Sequence, residues 1–406
     1  MSGTPQPFLP ASFTGRCLSY RDWAKAAGYA ADVLDFGQDF LDSPIRKHWQ
    51  GSVDFFEREY REGLSVTKGK HVTALIHNWA FDNMEKRQAD RYVHLFSSLG
   101  DVVARDPIWI DMVVGKCFAL EGNQDGAYRF GIDSYPVLKR IADPCFYIGS
   151  HRTWGHWICD YLGRLELLDL FPAHRDRTLV LDDLMPFHQE VLDLWEIDKS
   201  RVIAIEDAQL TSFSYLFDDL AVASEPPYAR AYGYISKKIH DRLALPKGGG
   251  PERVYLSRAN LTPHHRVENE TEIQDLLRAR GFEIVFPEQH GITQMAAVLK
   301  DAKIVVLPSG SGWANLIFAN SGASIIFLKP SLFGPEYRPR LSPFGLRLID
   351  VFRYYEAPFL ERIMFLYGRP LNPAVASGFN DNEIFEPREL DQALMMAEKL
   401  ALFRGR

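Results

Sequence analysis

From residue 253 onward the apolar positions fall into short buried-type runs separated by amphipathic stretches. "RVYLS", "FEIVF", "KIVVL" and "SIIFL" are brief, β-branched or aromatic runs that predict strands. Between them lie "NETEIQDLLRARG", "ITQMAAVLKDA" and "GWANLIFANSG", whose apolar residues recur at helical spacing. The first of these helices carries its own signals: Asn269 as N-cap, Glu272 three positions on, and Gly281 at its end. Strands alternating with short helices predict a parallel sheet covered on both faces, so the second half reads as a Rossmann-like lobe.

Upstream, the alternation is weaker. "CFYIG", "TLVLDD" and "RVIAIED" read as strands, with "HRTWGHWICDYLGRLELL" and "MPFHQEVLDLWEI" as helices, which suggests a second α/β unit. Residues up to about 130 read as an irregular and partly antiparallel section. "EPRELDQALMMAEKLALF" is an amphipathic C-terminal helix with Pro387 near its start. "LPKGGGPERV" interrupts helix and strand alike and predicts a hinge. The expected division is an N-terminal lobe over 1–245, a hinge over 246–252, a second lobe over 253–345 and a helical tail over 346–406. The fold class expected is thus α/β, with two Rossmann-like lobes facing a central cleft.

A chain of 406 residues exceeds one ordinary core, in agreement with two lobes. Composition then narrows the partners. A net charge of −7, with no basic tract, excludes nucleic acid as the expected partner. Cys17, Cys117, Cys145 and Cys159 are scattered, with no metal or disulfide spacing, and read as reduced and mostly buried. The start "MSGTPQPFLPASFTG" lacks the charged and apolar regions of a secretory signal, and no run is long enough to span a bilayer. These features predict a cytoplasmic protein, with peripheral contact to the inner membrane face left open, and the pattern specifies no oligomeric state.

Two features carry candidate chemistry in the second lobe. In "KIVVLPSGSGWANLIFAN" a buried strand meets a turn of Ser309, Gly310, Ser311 and Gly312 and then a helix start, where free N–H groups favour an anion. The pattern is G-x-G-x-x-N, with Asn315 where a dinucleotide loop has its third glycine, and no Walker lysine follows. A plain strand-to-helix turn would have the same residues. In "YLSRANLTPHHRVENE", Arg258 emerges at the carboxyl end of the first predicted strand and Arg266 follows before a helix. Two guanidinium groups beside a glycine turn suit a diphosphate, although a solvated loop arginine is the alternative for either alone.

If residues 151–168 form a regular helix, His156, Asp160 and Arg164 stand in one row. A hydrogen-bonded core pair is one reading of His156 and Asp160, and a metal site would need further ligands, of which only His151 is close. Asp182 and Asp183 end a predicted strand, either as a capping turn or as part of a metal-binding acidic motif. "SLFGPEYRPRLSPFG", with Glu336, Arg338 and Arg340, is either a flap over a ligand or surface.

Three blocks, "GHWICDYLGRLELLD", "VYLSRANLTPHHRVENETEIQDLLRARGFEIVFPE" and "AKIVVLPSGSGWANLIFANSGASIIFL", together resemble glycosyltransferase family 61. The second block is the most specific, with its Ser-Arg, the later Arg, and the Asn-Glu entering a helix. The resemblance implies an inverting, metal-independent transferase of GT-B architecture, of the type that serves capsule or other surface polysaccharide biosynthesis. It implies a nucleotide-sugar co-substrate, with a UDP-sugar the expected donor, a glycan or lipid-linked glycan acceptor, and no further cofactor. Arg258, Arg266, Asn269, Ser309, Gly310, Ser311, Gly312 and Asn315 would hold the donor. Asp160 or His156 would act as the base, with Asp160 favoured, and Trp154, Trp157 and Arg164 would meet the acceptor. The third block departs from the family's usual Pro-His-Gly-Ala-Gly-Leu, reading Pro308, Ser309, Gly310, Ser311, Gly312 and Trp313. That departure makes a catalytically inactive nucleotide- or glycan-binding relative the alternative; a metal-dependent transferase is the other.

Overall fold

A computed structural model describes residues 12–18, 28–34, 64–79, 90–96, 102–103, 127–131, 136–205, 212–224, 228–261, 266–319, 322–329, 363–371 and 382–402. The chain forms two compact units. The first comprises Met1–Arg152, Asp160–Met185 and Ile197–Pro227, and the second Thr153–Cys159, Pro186–Glu196 and Tyr228–Arg406.

Among the described residues the first unit is built on an eleven-stranded sheet. Its strands are β1 (Ser12–Leu18), β2 (Ala30–Leu34), β3 (Leu64–Trp79), β4 (Asp90–Phe96), β5 (Val102–Val103), β6 (Ala127–Gly131), β7 (Val137–Ile141), β8 (Cys145–Tyr147), β9 (Thr178–Leu181), β10 (Val202–Ala204) and β11 (Ser212–Ala223). Strands β10, β9, β8 and β11 run parallel in that order, and the buried run of β8 and most of β9 is what a strand covered on both faces requires. On its other edge β11 forms a long antiparallel ladder with β3, from Ser212 opposite His77 to Ala223 opposite Val66. The unit is therefore a mixed sheet, parallel from β10 through β9 and β8 to β11 and antiparallel from β11 to β3 and β4. Val72, Ala74, Val180, Phe213, Phe217 and Val222 belong to its core.

The second unit has a five-stranded, all-parallel sheet of β12 (Arg253–Leu256), β13 (Glu283–Val285), β14 (Ile304–Pro308), β15 (Ser324–Lys329) and β16 (Ile363–Tyr367). Helices α1 (Pro186–Leu194), α2 (Tyr228–Leu243), α3 (Glu270–Ala279), α4 (Ile292–Leu299) and α5 (Pro387–Leu402) accompany it. Helix α3 buries Glu270, Ile273, Gln274 and Leu277 on one face. It stops where Gly281, at φ +75°, turns left-handed and Phe282 N–H reaches back to Leu277 O, the paired closure that a glycine at this position permits. Asn269 occupies the N-cap position, but its side chain does not cap the helix.

The boundaries differ from expectation: residues 186–196 and 228–245, expected in the N-terminal lobe, belong to the second unit, and the expected hinge lies inside that unit. Residues 246–252 do not hang free: Gly248 and Gly250 donate their amides to the Asp301 carboxylate at 3.1 and 3.0 Å, and Lys300 donates to Gly248 O at 2.8 Å. Lys300, followed by these amides, holds the Asp301 carboxyl below its ordinary range. The C-terminal helix is no tail either. Leu390, Leu394 and Ala397 of α5 sit in the core of the second unit with Tyr255, Ile304 and Ile326, and Arg253 donates to Glu398 at 2.6 Å.

Candidate functional site

The strand order of the second sheet, β13-β12-β14-β15-β16, places the first strand between the second and third. Successive connections leave β12 and β14 in opposite directions, so their carboxyl ends form a topological switch point, the place where open α/β sheets receive ligands. Arg258 lies two residues past β12, and the turn from Ser309 to Gly312 lies directly past β14. Sequence reasoning placed both at strand ends; the strand order makes them neighbours. A Cβ built on Gly310 would stand 2.7 Å from Arg258 Nη1 and 2.8 Å from its Cζ, so the guanidinium rests on the bare backbone of the turn. Gly310 also has φ +115°, a conformation that side-chain-bearing residues rarely adopt. Burial, followed by repulsion from Arg266, lowers the Arg258 guanidinium to about 10, which leaves it charged at neutral pH.

Behind Arg258 stands a buried polar network that the sequence did not single out. Glu270 Oε1 accepts from Ser257 Oγ at 2.6 Å, from Tyr255 Oη at 2.9 Å and from Gln274 Nε2 at 3.2 Å. Ser257 Oγ in turn accepts from Ala259 N at 3.1 Å and from Gln274 Nε2 at 3.1 Å. Burial and the Glu270 charge push the Tyr255 phenol well above its usual range, so it stays a donor. The Ser-Arg and Asn-Glu pairs were visible in the sequence; their convergence across the β12–α3 connection was not.

Arg266 is buried, with φ +75°. For a residue with a long side chain this is a strained backbone, maintained here by a strap at residues 382–385. Arg266 N donates to Asn382 Oδ1 at 3.0 Å, Glu383 N to Arg266 O at 3.1 Å, and Glu268 N to Glu383 O at 2.8 Å. Asn269 grips the same strap, accepting from Phe385 N at 3.0 Å and donating to Phe385 O at 2.8 Å. Its amide is thus committed to the protein, which places Asn269 as an anchor rather than a donor contact.

The turn continues into the expected short helix, Ser311–Phe318, which is of the 3-10 type. Asn315 is buried and donates to Gly312 O at 3.0 Å, bracing the turn from inside. The hydroxyls of α2 meet the carbonyls that a short 3-10 segment leaves open. Tyr232 Oη reaches Ala314 O at 3.1 Å and Trp313 O at 3.2 Å, and Ser236 Oγ reaches Ile317 O at 2.7 Å. The Tyr232 ring stacks on Trp313 with centroids 5.7 Å apart.

The segment bearing His156 joins this unit, although the expectation assigned it to the N-terminal lobe. A Cβ on Gly155 would stand 3.2 Å from Ser311 Cβ, so the helical turn Trp154–His156 rests against the start of the 3-10 helix. Trp154 stacks on Phe318 and meets Phe187 edge-on. His156 is half-buried.

The expected single helix over 151–168 is broken in kind. An α turn at Trp154–His156 passes into a π segment at Trp157–Tyr161, a 3-10 segment at Leu162–Leu165 and an α turn at Glu166–Leu170. Residues four apart keep one face only in a continuous α-helix, so His156, Asp160 and Arg164 do not form the straight row expected. The boundary between the units falls after Cys159, leaving Asp160 and Arg164 in the first. Trp157 is fully buried against the His188 ring, with centroids 4.4 Å apart, and offers no face to a sugar. Arg164 is equally buried, donating to Ile148 O at 3.1 Å with its guanidinium 4.9 Å above the Tyr161 ring. Both expected acceptor contacts are thus internal. Asp160 is buried as well.

Asp182 and Asp183 are occupied by structural bonds in the first unit. Asp182 accepts from Tyr147 Oη at 2.7 Å and from Ser150 N at 3.3 Å. Asp183 pairs with Arg152 and accepts from Leu184 N at 2.9 Å. Among the described residues no cluster of three His, Cys, Asp or Glu is arranged to hold a metal ion, and no helix is long and apolar enough to cross a membrane. Glu336, Arg338 and Arg340 lie outside the described residues.

The strand order makes this an open parallel α/β unit with Arg258 and the glycine turn at the carboxyl ends of β12 and β14. The model of the family described as Glycosyltransferase 61 matches residues 154–326, a span that runs from the His156 turn through Arg258 to β15. Over those residues the chain is similar to that family. No curated protein matches the chain.

Proposed function

We propose that the protein is an inverting glycosyltransferase that moves a sugar from a nucleotide-sugar donor to a hydroxyl of a glycan or lipid-linked glycan. The observation that carries this reading is the Arg258 guanidinium resting on Gly310 at the carboxyl ends of the paired strands β12 and β14, inside the span matched by the family model. In this reading Arg258 and Arg266 neutralise the diphosphate of the donor, a UDP-sugar, and stabilise the charge that develops as it leaves. The amides of Gly310, Ser311 and Gly312 face the same oxygens, the Ser309 amide being taken by Leu328 O at 2.9 Å. The acceptor hydroxyl loses its proton to the base as its oxygen attacks the anomeric carbon. We assign that base to half-buried His156, in the turn that rests against Ser311. A GT-B architecture, metal independence and a role in surface polysaccharide synthesis at the cytoplasmic membrane face belong to this reading.

Incubation with a panel of nucleotide-sugars, with and without chelator, tests it. Nucleotide release that survives the chelator and is lost in His156→Gln supports the reading. A folded protein that binds nucleotides but releases none from any donor would instead be a silent relative, a possibility motivated by Ser309 in the turn.

A further inference from the structure

The network behind Arg258 does more than fill space. Ser257 precedes Arg258 and is completely buried, and its hydroxyl has one proton and two acceptor sites. The proton goes to Glu270, at 2.6 Å. One acceptor site takes the amide of Ala259, on the far side of Arg258, and the other takes Gln274. The backbone is also tied by Ser257 N to Val285 O at 2.8 Å and by Leu261 N to Arg258 O at 2.9 Å. We propose that Ser257 and Glu270 are positioning residues for Arg258: the carboxylate orients the serine hydroxyl, and the hydroxyl closes the turn that lays the arginine on Gly310.

The assignment follows from how little freedom each group has. With its proton committed to the carboxylate, the Ser257 oxygen presents its lone pairs toward Ala259 N–H and Gln274. Glu270 sits in the first turn of α3, so the clamp joins the end of β12 to a helix rather than to a loop. Tyr255 and Gln274 donate to the same carboxylate oxygen, Oε1, as Ser257 does. A buried carboxylate with three donors has one preferred position, and the serine inherits it. A guanidinium must be held in place to donate paired bonds to a diphosphate, so a small turn displacement at Arg258 removes that geometry while the sheet stays intact.

This inference rests on the diphosphate reading of the Arg258 site, and two measurements separate them. The first is phosphorus NMR titration with inorganic pyrophosphate of the wild type, Ser257→Ala, Ser257→Thr, Glu270→Gln and Arg258→Ala. The second is the rate at which phenylglyoxal modifies Arg258 in the ligand-free protein, followed by peptide mass spectrometry.

Ser257→Ala is expected to weaken pyrophosphate binding about tenfold, the size of one lost charge-assisted hydrogen bond, and to speed modification of Arg258. Ser257→Thr, which keeps the hydroxyl, is expected to restore both, and Glu270→Gln to follow Ser257→Ala. Unchanged Arg258 modification in folded Ser257→Ala and Glu270→Gln overturns the clamp. Faster modification in a protein whose wild type does not bind pyrophosphate leaves the clamp standing and overturns the diphosphate reading instead.

Discussion

Arg258 and Gly310 are fitted to each other: the guanidinium occupies the space that any side chain at residue 310 would need. Both conditions for glycine coincide there, because φ is +115° as well. Gly310→Ala is expected to cost about 1–3 kcal/mol of stability from the backbone conformation alone. It should also push Arg258 off the turn and abolish nucleotide binding. Denaturant unfolding and a nucleotide titration check the two effects, and wild-type affinity in the alanine variant would contradict the contact.

Tyr232 offers a test of why the glycine turn keeps its shape. Its single hydroxyl is shared between the carbonyls of Trp313 and Ala314. Tyr232→Phe keeps the stacking on Trp313 and removes the hydroxyl, leaving two buried carbonyls without it. A loss of about 1–3 kcal/mol in unfolding free energy is expected. An unchanged denaturation midpoint would show that the hydroxyl contributes nothing.

The first unit has its own pH dependence. The His174 ring is buried, packs near Phe146 and bonds to Asp32 at 2.9 Å. Burial lowers its pKa below 6.5, the charge of Arg177 acts in the same direction, and the Asp32 bond opposes them without prevailing. The folded state therefore takes up its proton at lower pH than the unfolded chain does. The stabilisation is complete above about 6.5 and is lost as pH falls through the folded value. Urea unfolding at about pH 7.5 and about pH 5 should give a lower midpoint in acid, with the difference reduced in His174→Gln. Equal reduction in wild type and variant would remove His174 as the cause.

Cys145 should be chemically silent. It is buried in the core of the first unit, and desolvation pushes its thiol up to about 12. Alkylation with iodoacetamide at neutral pH, followed by peptide mass spectrometry, should leave Cys145 unmodified until denaturant is added. Modification in the native protein would contradict this placement.

The second unit was largely legible because its signals are local. Strands β12 to β15, the Gly281 stop and the period of α5 depend on residues close in sequence, and the sheet they form is the parallel one expected. Arg258 and the Ser309–Gly312 turn were legible for the same reason, each standing at a strand end. What escaped depends on distant partners. The strap at 382–385 has no periodicity, yet it holds Arg266 and Asn269 through bonds spanning 116 residues. Strand β16 is five residues placed by pairing with β15 and by Met364 and Leu366 packing on the core. The break into π and 3-10 turns at 157–165 leaves no mark in a pattern that suits a continuous helix, so burial of Trp157 and Arg164 could not be foreseen.

The central claim is that Arg258, laid on the glycine turn, holds the diphosphate of a nucleotide. Calorimetric titration with UDP, GDP and CMP, each with and without chelator, tests it most directly when repeated on Arg258→Ala. The expected result is chelator-independent binding of UDP that disappears in the variant while its thermal unfolding stays near that of the wild type. Binding that survives unchanged in folded Arg258→Ala would contradict the claim.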